Sequence, residues 1–393
     1  MSFSRRGFLK GLAATAGAAM GTRIAGGGSL IGNAFAAPEP TSLVMIHFIG
    51  GYNAIWASAG TLQGSFGVTA SNFTALGNGV AMDNVLADAM SPFVKDHVAT
   101  IGVGHGQSSH PGARRALWTI DGKNGMHSLA SAIGGASPNK AVISGASDID
   151  ERMRDPVNGV AAQHVLDMQT YLDSIGAAAP GPRDPDRTVS LAGVTASQAM
   201  SKNALDASPQ SLLGVRQGFA DAISTLKQPP ASFDLAGLKT AYGVTTNKIA
   251  SFASKLAAAE MFVRTGVNTV TVFDGGWDTH GDVNGNRVRN QMTDIVPAIK
   301  TFMDRMITAD AGRNVVLCLM GDFARSLPGS DHQPNLSATV IGKYVKRGST
   351  GRVNADVAIT GGAPSAKGFW AYLAAATKAT ASPFGADPHK LVV

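Results

Sequence analysis

Apolar residues along this chain fall into two patterns: short unbroken runs, and longer stretches spaced by three and four. Leu43-Val44-Met45-Ile46-His47-Phe48-Ile49 is the clearest run, and it ends at Gly50-Gly51. Val98 to Val103, Lys140 to Ser144, Asn268 to Phe273 and Asn314 to Met320 are further runs, the last two rich in β-branched residues with glycine close to their ends. Each predicts a buried strand. From Asn286 to Thr308 the apolar positions Val288, Met292, Ile295, Val296, Ile299, Phe302, Met303 and Met306 line one helix face, with a kink expected at Pro297. Asn247 to Arg264 carries a second helical pattern. Apolar strands joined by helices predict an α/β fold with a mostly parallel central sheet covered by helices on both faces.

The middle of the chain breaks this rhythm. Residues 146–237 hold helical patterns over Val157 to Ile175 and Ser208 to Lys227, separated by links such as Ala179-Pro180-Gly181-Pro182 and Gln228-Pro229-Pro230. They predict a mainly helical insertion or cap within one domain spanning 37–393, and no repeat is evident.

The N-terminus changes the charge argument. Ser4-Arg5-Arg6-Gly7-Phe8-Leu9-Lys10, a weakly apolar Ala/Gly-rich segment and Ala34-Phe35-Ala36 read as a twin-arginine export signal over 1–36. The expected partner is the twin-arginine translocase, and the expected location is periplasmic or secreted. Arg23 interrupts the apolar stretch, which argues against an N-terminal anchor, and no transmembrane segment is expected in the mature chain. The leader holds Arg5, Arg6, Lys10 and Arg23 and no acid; removing these from 33 Lys and Arg leaves 29 against 27 acids. That balance argues against nucleic-acid binding. The single cysteine, Cys318, excludes an intramolecular disulfide and sits in an apolar run as a buried thiol.

Four polar clusters follow predicted strands, where open parallel sheets bind ligands. They are Gly50-Gly51-Tyr52-Asn53, Ser108-Ser109-His110, Gly275-Gly276-Trp277-Asp278-Thr279-His280, and Gly321-Asp322-Phe323-Ala324-Arg325 running on to Ser330-Asp331-His332. Asp278 and His280 are two apart and would project to the same side of an extended segment, both able to reach one cation. Acids and imidazoles at several strand ends point to a divalent cation such as zinc, manganese or calcium. No Gly-x-Gly-x-x-Gly follows the first strand and no Cys motif is present, so no organic cofactor is expected.

Together with the leader, these clusters resemble the bacterial family called domain of unknown function 1501, over about Ser42 to Val353, with Gly275 to His280 the most specific segment. That family looks related to the alkaline phosphatase and sulfatase superfamily. The resemblance implies an alkaline-phosphatase-like fold in which Asp278, His280 and His332 match one metal site and Asp322 the other. It also implies that Ser109 matches the nucleophile most nearly. Asn53 stands where the family carries an acid, and Asp322-Phe323-Ala324-Arg325 where it carries Glu-Phe-Gly-Arg. The expectation is an exported metal-dependent hydrolase-like protein acting on phosphate or sulfate esters. Its substrate would be an anionic small molecule or polymer, held by Arg114, Arg115 or Arg325. The alternative is a non-catalytic periplasmic binding or assembly protein with a degenerate site.

Overall fold

Thr41–Phe48 forms strand β1, and every residue from Ser42 to Phe48 is buried. The computed structural model describes residues 39–51, 72–133, 139–147, 155–175, 184–207, 219, 223, 233–283, 285–325, 330–351 and 365–393. Around β1 it builds an eight-stranded sheet from β2 (Val98–Gly104), β3 (Ala141–Ser144), β4 (Gln163–Val165), β5 (Thr269–Asp274), β6 (Asn314–Gly321), β7 (Asn335–Ile341) and β8 (Gly348–Ser349), in the order β8-β2-β7-β6-β1-β5-β3-β4. All pairings are parallel except those of β7, which runs antiparallel to both β6 and β2. The result is the expected α/β architecture with a mostly parallel sheet. β1 lies between two parallel partners in a sheet covered on both sides, so neither of its faces meets water and its residues have no need to alternate in polarity.

Side chains still alternate in direction. Leu43 and Met45 join a buried cluster with Trp118, Met126, Trp370 and Tyr372, contributed by helices α1 (His110–Trp118), α2 (Gly125–Ala132) and α7 (Ala366–Ala376) or their ends. His47 lies on that same side, its ring 5.7 Å from Trp118 and 5.5 Å from Phe273. Val44, Ile46 and Phe48 point the other way and are fully buried. Helix α5 (Phe252–Arg264) packs against β5, β3 and α6 (Asn286–Met303). Each fully buried Leu or Met contributes about 1.5–3 kcal/mol, so the sheet centre is a firm base for the loops at its edge.

One sequence expectation is corrected. The helix expected over 157–175 is shorter, covering only Met168–Ser174 (α3), while Gln163–Val165 joins the sheet edge as β4. Asn158 and Gly159 both take positive φ, closing a tight turn bridged by Val157 and Val160, and a helix cannot pass through it. Part of 146–237 therefore belongs to the sheet. Helix α6 continues through Pro297 and ends in a π-turn over Asp304–Thr308.

By its internal contacts the chain divides into two units. One comprises Pro38–Met168 with Leu235–Val393 and carries the sheet; the other includes Gln169–Asp234. Within the second, α4 (Asp184–Ala207) is the long element, and most of its described side chains are exposed. Most of the helix expected over 208–227 lies outside the described residues. Among the described residues, no helix is long and apolar enough to cross a membrane.

Candidate metal centre

The site is built where β1, β5 and β6 end. After β5, Trp277 and Thr279 are buried while Asp278 and His280 are exposed, the strict alternation of an extended segment. Trp277 holds the segment down: its ring lies 4.5 Å from that of Phe48 and its Nε1 donates to Asp274 Oδ2 at 2.7 Å. Thr279 Oγ1 meets Ser330 Oγ at 3.1 Å, tying this segment to the loop after β6. Asp278 and His280 are thereby turned outward together.

Asp322, one residue beyond β6, is buried completely. Its Oδ1 accepts from His47 Nε2 at 2.7 Å and Arg114 Nε at 3.1 Å. Its Oδ2 accepts from the Gly50 amide at 3.1 Å and His110 Nδ1 at 2.7 Å. Burial pushes the carboxyl pKa up, but the His47 hydrogen bond and the charges of His47 and Arg114 overcome this and hold it well below the usual range. His110 and Arg114 reach Asp322 together because they are four residues apart on α1, one above the other on the same face. Ser109 stands at the N-cap position of that helix and Pro111 falls in its first turn.

The imidazoles are oriented from behind. An ionised carboxylate only accepts, so neutral His110 donates through Nδ1 and presents the lone pair of Nε2, which lies 3.8 Å from Asp278 Oδ2. His332 Nδ1 lies 2.7 Å from the Ser108 carbonyl and donates to it, leaving its Nε2 lone pair forward. Burial lowers the His332 pKa, against a raising effect of the hydrogen bond to the Ser108 carbonyl, and favours this neutral form. His110, Asp278 and His332 offer ligand atoms that all lie within 4.8 Å of one another. His280 flanks them, its Nε2 2.8 Å from His332 Nε2 and 3.3 Å from Asp278 Oδ1. Two imidazole nitrogens that close need a shared proton or a cation bound by both. Phe323 forms an apolar wall, its ring 4.1 Å from His332 and 4.8 Å from His110.

The sequence-predicted residues are distributed unevenly here. Asp278, His280 and His332 come together at the opening, with Asp322 behind them. Arg325 is buried, and its guanidinium is taken up by the Gly50 carbonyl, the Ser330 carbonyl at 2.6 Å and Asp278 Oδ1 at 2.5 Å. Ser109 is exposed beside His110, and its hydroxyl makes no capping hydrogen bond. Asn53 lies outside the described residues. Sequence reasoning named His110 only within the Ser108-Ser109-His110 cluster, without a ligand role, and read His47 as part of a strand; their partner is 212 and 275 residues away, and only the order of strands brings them to it. Cys318 is fully buried in β6, and burial pushes its thiol pKa far up.

Comparison with known families adds one finding. Residues 185–357 match the model of DUF1501, described as a protein of unknown function. The match covers less than half the chain. It takes in Gly275 to His280 and Asp322 to His332, the segments that carry the resemblance, while Gly50-Gly51 and Ser109-His110 fall outside it. No curated protein matches the chain.

Proposed function

We propose that this chain is an exported, metal-dependent hydrolase-like protein whose cation is held by His110, Asp278 and His332, acting on phosphate or sulfate esters. The observation that carries this is the convergence of two imidazole lone pairs on a carboxylate, each imidazole fixed from behind by an acceptor on its far nitrogen. Lone pairs and a negative charge facing one another favour a cation between them, and this donor set suits zinc or manganese. A bound divalent cation supplies Lewis-acid polarisation of an ester oxygen and lowers the pKa of a bound water. Of the chain's own groups, Asp278 brings the negative charge. Arg325 holds its carboxyl below the usual range by hydrogen bond and charge, against a raising effect of burial. His280 is placed to hold or pass a proton at Nε2, next to the cation position. Arg114, partly exposed, is the guanidinium placed to meet an anionic substrate, since Arg325 is committed to the protein itself.

That commitment of Arg325 favours a second reading: a cation-dependent binding protein without turnover. Plasma emission spectrometry on protein purified without chelator separates metal binding from its absence. About one zinc or manganese per chain is expected, and Asp278→Ala should lose it. Wild-type protein carrying no metal would sink both metal readings. Metal-loaded protein that hydrolyses neither p-nitrophenyl phosphate nor p-nitrophenyl sulfate would leave the binding reading. Export is tested separately: replacing Arg5 and Arg6 by Lys should hold the precursor in the cytoplasm, and normal export of that variant would remove the twin-arginine assignment.

A further inference from the structure

Asp322 matches a metal ligand in the family resemblance, yet its surroundings assign it a different task. A carboxylate offers about four acceptor positions, and here four donors fill them: His47 and Arg114 on one oxygen, Gly50 and His110 on the other. The residue is fully buried, so a cation could reach it only by displacing one of those bonds. What Asp322 does reach is the far side of His110. We propose that Asp322 is a positioning residue: held in plane by His47, Arg114 and the Gly50 amide, it fixes His110 as the Nδ1–H tautomer and so aims the Nε2 lone pair at Asp278 and His332.

The geometry leaves little alternative for a neutral imidazole. With Nδ1 2.7 Å from Oδ2, the other tautomer would set a lone pair against a carboxylate lone pair at hydrogen-bond distance. His47 matters because it occupies Oδ1 from within β1, 275 residues away in sequence. It holds the carboxyl from rotating while Arg114 bonds the same oxygen, so Oδ2 stays turned to His110. The arrangement is a carboxylate–histidine support of the kind that tunes metal ligands. Its value to a cation rests on the metal centre proposed above; the tautomer itself does not.

The test uses full-length mature protein labelled with 15N-histidine, stripped of metal and held at mildly alkaline pH. Long-range 1H–15N correlation, with the His110 signals identified by their loss in His110→Asn, should show a protonated Nδ1 and an unprotonated Nε2. In Asp322→Asn, His47 and Arg114 claim the single amide oxygen and the NH2 group faces His110, so the proton should move to Nε2. Zinc affinity of that variant should fall by roughly 10–100-fold. A wild-type His110 with its proton on Nε2 overturns the proposal. So does a folded Asp322→Asn that keeps the wild-type tautomer or binds zinc as tightly as wild type. The wild-type spectrum decides the matter even where Asp322→Asn does not fold. Wild-type protein with the expected tautomer but no affinity for zinc or manganese supports the positioning role and overturns the metal centre alone.

Discussion

Arg325 and Asp278 join the two segments that build the site: Arg325 Nη2 donates to Asp278 Oδ1 at 2.5 Å, from a side chain 1 % exposed to one 53 % exposed. Burying a guanidinium is costly unless its donors are met, and here they are met by two backbone carbonyls as well as the carboxylate. The arginine thus ties together the turn after β1, the segment after β5 and the loop after β6.

Arg325→Met should therefore destabilise the fold and loosen the site at once. It leaves the Gly50 and Ser330 carbonyls without their donor, at about 1–3 kcal/mol for each group left unsatisfied. The ion pair adds little, because Asp278 is half in solvent. Urea denaturation should register the loss, and metal retention should fall with it. A variant within about 0.5 kcal/mol of wild type, with its metal intact, would show that the three segments hold without this tie.

Acid should weaken the protein through a different carboxyl. Glu260 on α5 is fully buried, bonded to Arg305 by as little as 2.7 Å, to Arg264 at 2.8 Å and to the Tyr242 hydroxyl at 2.9 Å. Burial raises its pKa, but these hydrogen bonds outweigh it and the net direction is down. A depressed folded pKa adds stability that is fully present above the unfolded value of about 4.3 and is lost as pH falls through the lower folded value. The stability difference between wild type and Glu260→Gln should accordingly be flat near neutrality and shrink on acidification below about pH 4.3. A difference that grows on acidification would contradict the sign.

The lone thiol reports on the sheet centre. Cys318 lies in β6 between β1 and β7, and burial raises its pKa far above the usual thiol value. Native protein should resist an aromatic disulfide reagent at neutral pH and yield its one thiol only in denaturant, because attack requires an exposed thiolate. Rapid labelling of the native protein would place β6 at an accessible edge instead.

These buried elements were also the ones most legible in the sequence. Thr41–Phe48, Thr269–Asp274 and Asn314–Gly321 are runs buried on both faces, and burial on both faces leaves an unmistakable apolar signature. Asn335–Ile341 carries Ser337 and Thr339 fully buried among its apolar residues, so no unbroken run marked it, and its antiparallel direction is a matter of topology. Helix α4 shows no clear apolar stripe because it is largely exposed. At the site, alternation alone placed Asp278 and His280 on one side. His47 was hidden by the apolar strand around it, since nothing local distinguishes a buried histidine with a distant carboxylate from one that merely fills space.

The turn after β1 gives the sharpest test of how closely the site is built. Gly50 has φ +113°, and a Cβ added there would lie 2.2 Å from the Asp278 amide nitrogen and 2.6 Å from the Trp277 carbonyl carbon. Gly77 has φ +92°, yet a Cβ there would meet nothing within 4 Å. Alanine at either position carries backbone strain of about 1–3 kcal/mol, so the excess loss in Gly50→Ala over Gly77→Ala isolates the steric demand at the site. That excess should be large. Both contacting atoms are backbone and cannot swing aside as a flexible side chain would. Any retreat of Gly50 also disturbs its amide bond to Asp322 and its carbonyl bond to Arg325. Thermal melts of the two variants, with metal content measured alongside, provide the comparison. Gly77→Ala should keep its metal; equal melting losses, or full metal retention by Gly50→Ala, would mean that the turn relaxes without moving Asp278.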